Sequence, residues 1–119
     1  MLGRIMAFAA LFAAGCGAAA AVDFGGKYEV RGTNLDGSRY SGSATITVTS
    51  STTCEIVWKV GTTSSGICMR NGIAFAAGYV MGKDVGLVIY EIKSDGTLDG
   101  RWTIAGKNGV GTELLIPTK

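Results

Sequence analysis

Residues 39–49 read R-Y-S-G-S-A-T-I-T-V-T, and the two phases of this alternation carry different chemistry. Tyr40, Gly42, Ala44, Ile46 and Val48 share one phase, while Ser41, Ser43, Thr45, Thr47 and Thr49 share the other. Successive strand residues point to opposite faces, so a period of two predicts a β-strand with one face buried and the other in water. The same period continues downstream. Cys54, Ile56, Trp58 and Val60 alternate with Glu55, Val57 and Lys59, and Leu98, Gly100, Trp102 and Ile104 alternate with Asp99, Arg101 and Thr103. Both tryptophans are therefore expected to project inward.

Extended along the chain, this reading gives eight strands, at about 26–32, 39–49, 53–61, 66–70, 73–81, 85–93, 97–104 and 109–116. The connections are short. They contain Asp36-Gly37, Gly82-Lys83, Asp95-Gly96 and Asn108-Gly109, residue types that tolerate positive φ and suit hairpins. Short connections make sequential strands antiparallel neighbours. Eight strands in up-and-down order hide their edges by closing, so the expected fold is an all-β, eight-stranded antiparallel barrel, with a β-sandwich as the alternative. Pro117, the only proline, lies at the end of the last strand.

The N-terminus has another character. Arg4 precedes an apolar run from Ile5 to Ala14 and then a series of small residues, the pattern of a secretory signal peptide. The run is about half the roughly 20 residues a membrane-spanning helix needs. Ala19-Ala20-Ala21 suits the general signal peptidase, whereas Ala13-Ala14-Gly15-Cys16 resembles a lipoprotein box, with Leu11 five residues before the cysteine rather than three. The division is thus a signal peptide at 1–21 and a single β-barrel domain at 22–119. Export to a periplasmic or extracellular location follows, with anchoring to the envelope through lipidation of Cys16 as the alternative. Membrane association enters only by that route.

Composition narrows the function classes. Removing residues 1–21 takes away Arg4, leaving ten Lys and Arg against nine Asp and Glu, scattered singly along the chain. Phosphate-backbone binding needs clustered basic residues, so no nucleic acid is expected as partner. The chain has no histidine, the commonest general base and metal ligand. Cys54 and Cys68 remain in a chain bound for an oxidising compartment, and a hairpin turning near 61–65 sets them close to opposite one another. A disulfide is expected; two free thiols or a redox pair is the alternative.

Several motifs point to chemistry without completing it. Asp95, Thr97, Asp99 and Gly100 match the opening of a calcium loop, but its twelfth position, where a bidentate glutamate belongs, is Gly106. No metal site is expected. Glu29, Glu55, Asp99 and Glu113 fall at outward or ambiguous positions of the alternation, and no acid pair stands out. Serines and threonines are plentiful but lack an activating histidine. The glycines of 106–111 do not follow a phosphate-loop pattern. No cofactor and no catalytic residue are expected.

Two features favour binding. An eight-stranded barrel is about wide enough to be filled by its own side chains or to hold one small molecule, and Trp58, Tyr79, Trp102, Tyr28 and Tyr40 are the candidates to line a pocket. Segments 73–81 and 85–92 are apolar in both phases, although a barrel wall should turn one face to water. Phe75, Val80, Val88, Tyr90 and Ile92 are the interface candidates in that hairpin. Its outer face is expected to be covered by another subunit, a packed loop, a different protein or lipid.

The pattern Y-E-V-R-G-T-N-L-D-G-S-R-Y-S-G at 28–42, with D-G-T-L-D-G-R-W at 95–102 and G-x-G-T-E-L-L at 109–115, resembles small exported bacterial proteins of the fibronectin-binding-like type. The resemblance covers nearly the whole chain after the signal and assigns no residue a role. The order of elements is more distantly similar to avidin-like and lipocalin-like barrels, with Gly26-x-Tyr28 an echo of their G-x-W start. Gly37-Ser38-Arg39-Tyr40-Ser41 prompts a third comparison, with exported barrel inhibitors of lysozyme, whose cysteine placement is not evident here. The expectation is a non-enzymatic exported binding protein that engages a protein partner through the apolar hairpin or loops, with homo-oligomerisation included. The alternatives are a carrier of a small apolar molecule in its interior, a lipid-anchored structural envelope protein and an enzyme inhibitor.

Overall fold

In a computed structural model of the chain, which describes residues 24–118, the alternating segments form eight strands. These are β1 Gly26–Thr33, β2 Arg39–Val48, β3 Thr53–Lys59, β4 Thr63–Asn71, β5 Ala74–Met81, β6 Asp84–Ile92, β7 Leu98–Ile104 and β8 Gly111–Pro117. The expected signal segment, both cleavage sites and Cys16 lie outside the described residues. Each strand pairs antiparallel with the next, and β8 returns to β1 with Val30 opposite Leu115, so the sheet is a closed up-and-down barrel rather than a sandwich. Closure pairs every strand on both sides, which removes the exposed edges that an open sheet would present.

The hairpins form where glycine permits positive φ. Gly37, Gly82, Gly96 and Gly109 have φ of 88°, 63°, 87° and 111°. One turn is tighter than the sequence suggests. The β3–β4 connection is only Val60, Gly61 and Thr62, closed by Val60 N–H donating to Thr62 O at 3.0 Å, so β4 starts at Thr63 instead of 66. That places Ser64 in the wall, opposite Trp58 and buried.

Up-and-down order gives the barrel two distinct ends. Phe24, the β2–β3, β4–β5 and β6–β7 connections and the end of β8 gather at one; the β1–β2, β3–β4, β5–β6 and β7–β8 connections gather at the other. The first end is packed shut. Phe24 is 5% exposed, its ring edge-to-face with Phe75 at 5.5 Å, and Phe75 meets Tyr90 in the same manner at 5.7 Å. Tyr28 Oη donates to Phe24 O at 2.6 Å, and the Arg70 guanidinium lies 5.3 Å from the centre of the Phe24 ring. Cys54 and Cys68 stand directly opposite in the β3–β4 register near this end and form a disulfide, with Cα atoms 5.0 Å apart. Closing a loop of this length contributes about 3 kcal/mol in the chain-entropy account.

The outer wall is two-sided in character. Across β1–β3 it is polar, carrying Lys27, Glu29, Ser43, Thr45, Glu55 and Lys59. Across β4–β6 it exposes Ile67, Met69, Val80, Val85, Leu87 and Ile89, each between 54% and 73% exposed. The apolar hairpin thus has an apolar outer face, but most of the interface candidates are not on it. Phe75, Val88 and Tyr90 point into the barrel and are buried, Ile92 is half-buried against the core, and only Val80 faces out. Where both phases of a segment are apolar, hydrophobicity does not reveal which one is inward; the register with β4 and β7 decides it.

Candidate functional site

At the second end four of the strands present an aromatic ring to the interior. Tyr40 comes from β2, Trp58 from β3, Tyr79 from β5 and Trp102 from β7, and together they line a cavity of about 290 Å³. Asn34, Val60, Thr62 and Met81, on or beside the connections of this end, form its mouth. Val88 and Ser64 lie deeper in the wall.

Cross-strand glycines set the rings. Gly32 is paired with Tyr40, Gly86 with Tyr79, Gly100 with Tyr90 and Gly111 with Trp102. In each pair a Cβ on the glycine would overlap the partner's ring, so the ring lies flat across bare backbone. A barrel this narrow could not hold four such side chains against four ordinary neighbours without overpacking. Trp58 faces the small Ser64 in the same way. The rings then meet one another across the lumen. Trp58 and Tyr79 are edge-to-face at 5.2 Å, and Tyr40 and Trp102 at 6.2 Å.

Two of the polar tips of these rings are used by the wall backbone. Tyr79 Oη donates to Thr103 O at 3.2 Å, and Trp102 Nε1 donates to Thr112 O at 3.3 Å. The others converge on Glu113, an inward residue of β8 that is 7% exposed. Its Oε1 accepts from Tyr40 Oη at 2.7 Å; its Oε2 accepts from Trp58 Nε1 at 2.9 Å and from Tyr90 Oη. An indole N–H can only donate and both phenols donate here, which is the donor set a carboxylate takes. All three phenols at this site respond to it. Burial first, and then the Glu113 charge, pushes Tyr40 and Tyr90 well above the ordinary phenol value and Tyr79 up to about 12. They remain protonated donors.

Four of the five pocket candidates are brought together: Tyr40, Trp58, Tyr79 and Trp102. Tyr28 is not among them. It sits at the packed end of β1, buried at 5% exposure with its hydroxyl on Phe24 O. The inward, even-numbered phase of β1 brings no side chain to the pocket, because the inward residue at that level is Gly32, under Tyr40. The reading of Glu113 as outward or ambiguous is corrected by its burial. Its neighbours Leu114, Leu115 and Ile116 are apolar in both phases, which hid the alternation. The signal that finds it is parity: Gly111, Glu113 and Leu115 form one inward file. Glu29, Glu55 and Asp99 do face outward.

The possible calcium loop becomes half turn and half wall. Asp95 Oδ1 accepts from Thr97 N–H at 2.9 Å across the Gly96 turn, Asp99 points outward and Gly100 lies beneath Tyr90.

No family model matches the chain, and no curated protein matches it. Solved structures do. A redesigned β-barrel superposes with a TM-score of 0.71 at 14% identity, over 81% of this chain and 92% of its own. A de novo designed fluorescence-activating β-barrel superposes with a TM-score of 0.61 at 17% identity, over 77% of this chain and 92% of its own. At that identity the likeness concerns the fold alone, and it agrees with the strand pairing: the chain is a closed, eight-stranded, antiparallel up-and-down β-barrel.

Proposed function

We propose that the protein is a non-enzymatic binding protein that takes up one small, largely apolar molecule through the open end of the barrel. The observation that carries this reading is the contrast within the lumen: Phe24 and Phe75 fill one end, while Tyr40, Trp58, Tyr79 and Trp102 frame a cavity at the other. An apolar, aromatic pocket with a few fixed polar groups is the usual form of a small-molecule site. The rings are held by cross-strand packing and wall hydrogen bonds, so little ordering cost falls on binding. One structural neighbour is a designed fluorescence-activating β-barrel, which supports the capacity of this kind of fold to carry a function.

The reading is tested by titration with N-phenyl-1-naphthylamine, a neutral dye that brightens in apolar surroundings, with the two tryptophans as energy donors. Saturable one-to-one binding is expected, weakened at least tenfold by Ser64→Phe, which fills the wall opposite Trp58. Absence of binding by the folded wild type, or equal binding by the variant, refutes the pocket.

A second reading is favoured by the outer wall. In register, Ile67, Gly78 and Leu87 form one row and Met69, Ala76 and Ile89 the next, so two apolar ridges flank a trough of small residues. Under a two-fold axis the ridge of one copy would enter the trough of another, the self-complementarity an isologous dimer requires. Sedimentation equilibrium should show a dimer that Leu87→Glu dissociates; a monomer at all accessible concentrations removes this reading.

A further inference from the structure

We infer that the ligand taken up by the open end is an organic ammonium ion, an inference that rests on the pocket reading above and specifies its chemistry. Glu113 is a buried carboxylate whose three partners, Tyr40, Trp58 and Tyr90, are all neutral donors. They satisfy its oxygens without cancelling its charge. Among the described residues the ion pairs are Arg31 with Glu29 and Lys93 with Glu91, both on the surface, and no Lys or Arg lines the cavity. The site is therefore a negative charge in an apolar chamber with no counter-charge from its own wall.

That imbalance discriminates among ligands. An anion would be repelled. A neutral apolar molecule would enclose the charge in still poorer surroundings without compensating it, which is unfavourable. A cation would relieve it. The four rings favour the same choice, because the faces of Trp and Tyr attract ammonium groups and such aromatic enclosures are a known means of holding them. Hydrogen bonding offers a place as well: Oε2 takes two donors, whereas Oε1 takes only Tyr40, leaving one acceptor position for an N–H of the ligand. Tyr79, whose hydroxyl donates to Thr103 O rather than to Glu113, is raised first by burial and then by the Glu113 charge.

The experiment compares benzylammonium with benzyl alcohol, nearly equal in shape and different in charge, and with benzoate, read by tryptophan fluorescence and by the indole N–H resonances of Trp58 and Trp102. Benzylammonium is expected to bind at least tenfold more tightly than benzyl alcohol, with benzoate weaker than both. Glu113→Gln should bring the first two within about threefold while binding of N-phenyl-1-naphthylamine persists. The wild-type comparison stands even if that variant does not fold. Equal or tighter binding of benzyl alcohol by the wild type overturns the ammonium inference and leaves the pocket intact; failure of these ligands and of the neutral dye alike overturns both.

Discussion

Phe24 closes one end of this barrel as a plug seated on Phe75, whereas at the other end Tyr40, Trp58, Tyr79 and Trp102 stand around a space they do not fill. The strands are the same; the side chains at equivalent heights differ. At the plugged end the interior is mainly apolar, with Val30, Ile56, Leu98 and Leu115 almost fully buried, and a disulfide crosses β3 and β4. At the open end each of the four rings carries a polar tip tied to the wall or to Glu113, and that tie fixes the orientation of the ring. The comparison teaches that dense packing and an open cavity are placed at opposite ends of one short barrel. The plugged end supplies burial and covalent closure, and the open end gives up packing to keep a shaped cavity.

This division can be broken at three levels. The largest effect is expected from Phe75→Ala, which removes the ring between Phe24 and Tyr90 and should cost about 3–5 kcal/mol in denaturant unfolding. A loss below about 1 kcal/mol would mean that the plug does not carry the fold. Next comes the disulfide: replacing both Cys54 and Cys68 with alanine should cost about 3 kcal/mol while leaving dye binding at the open end unchanged. If dye affinity falls along with stability, the two ends are coupled rather than separate.

The smallest effect sharpens the open end. Tyr79→Phe loses one partly exposed hydrogen bond to Thr103 O and should cost about 0.5–1.5 kcal/mol near neutral pH. Its clearer mark is in alkali. The Tyr79 phenol is raised from 10.0 to about 12 in the folded protein, so the folded state holds this proton more tightly than the unfolded chain. The stability linked to it is complete below pH 10 and is lost as the pH rises through about 12. Tyr79→Phe should therefore flatten the fall of the unfolding midpoint across that window, followed together with tyrosinate absorbance. An unchanged slope would show that the phenol titrates as if in water.

How much could be read beforehand varied with the segment. β2 was legible because its two phases separate cleanly into apolar and hydroxyl residues, and its inward file from Tyr40 to Ile46 is found as expected, although Val48 emerges at the barrel end. The pair Cys54 and Cys68 was legible from hairpin counting. Segments β5, β6 and β8 were not, since apolar residues occupy both of their phases and only the neighbouring strands choose between them. For this reason Phe75, Val88 and Tyr90 looked like surface while Glu113 did not look like interior. The exposed apolar rows on β4–β6 were likewise visible only as an excess of hydrophobicity, without the register that aligns them.

The sequence by itself determined the strand count, the hairpin order, closure as the remedy for unpaired edges, and an aromatic set large enough to occupy the lumen. These follow from local periodicity, turn chemistry and composition, which need no distant contact. The tertiary structure alone decided which end is filled and which is open, that four rings rest on cross-strand glycines, and that Tyr40, Trp58 and Tyr90 converge on Glu113. The bonds to Glu113 join residues from 23 to 73 positions apart. They are fixed by the register of eight strands around a closed circuit, a property of the whole sheet that no single stretch of the chain encodes.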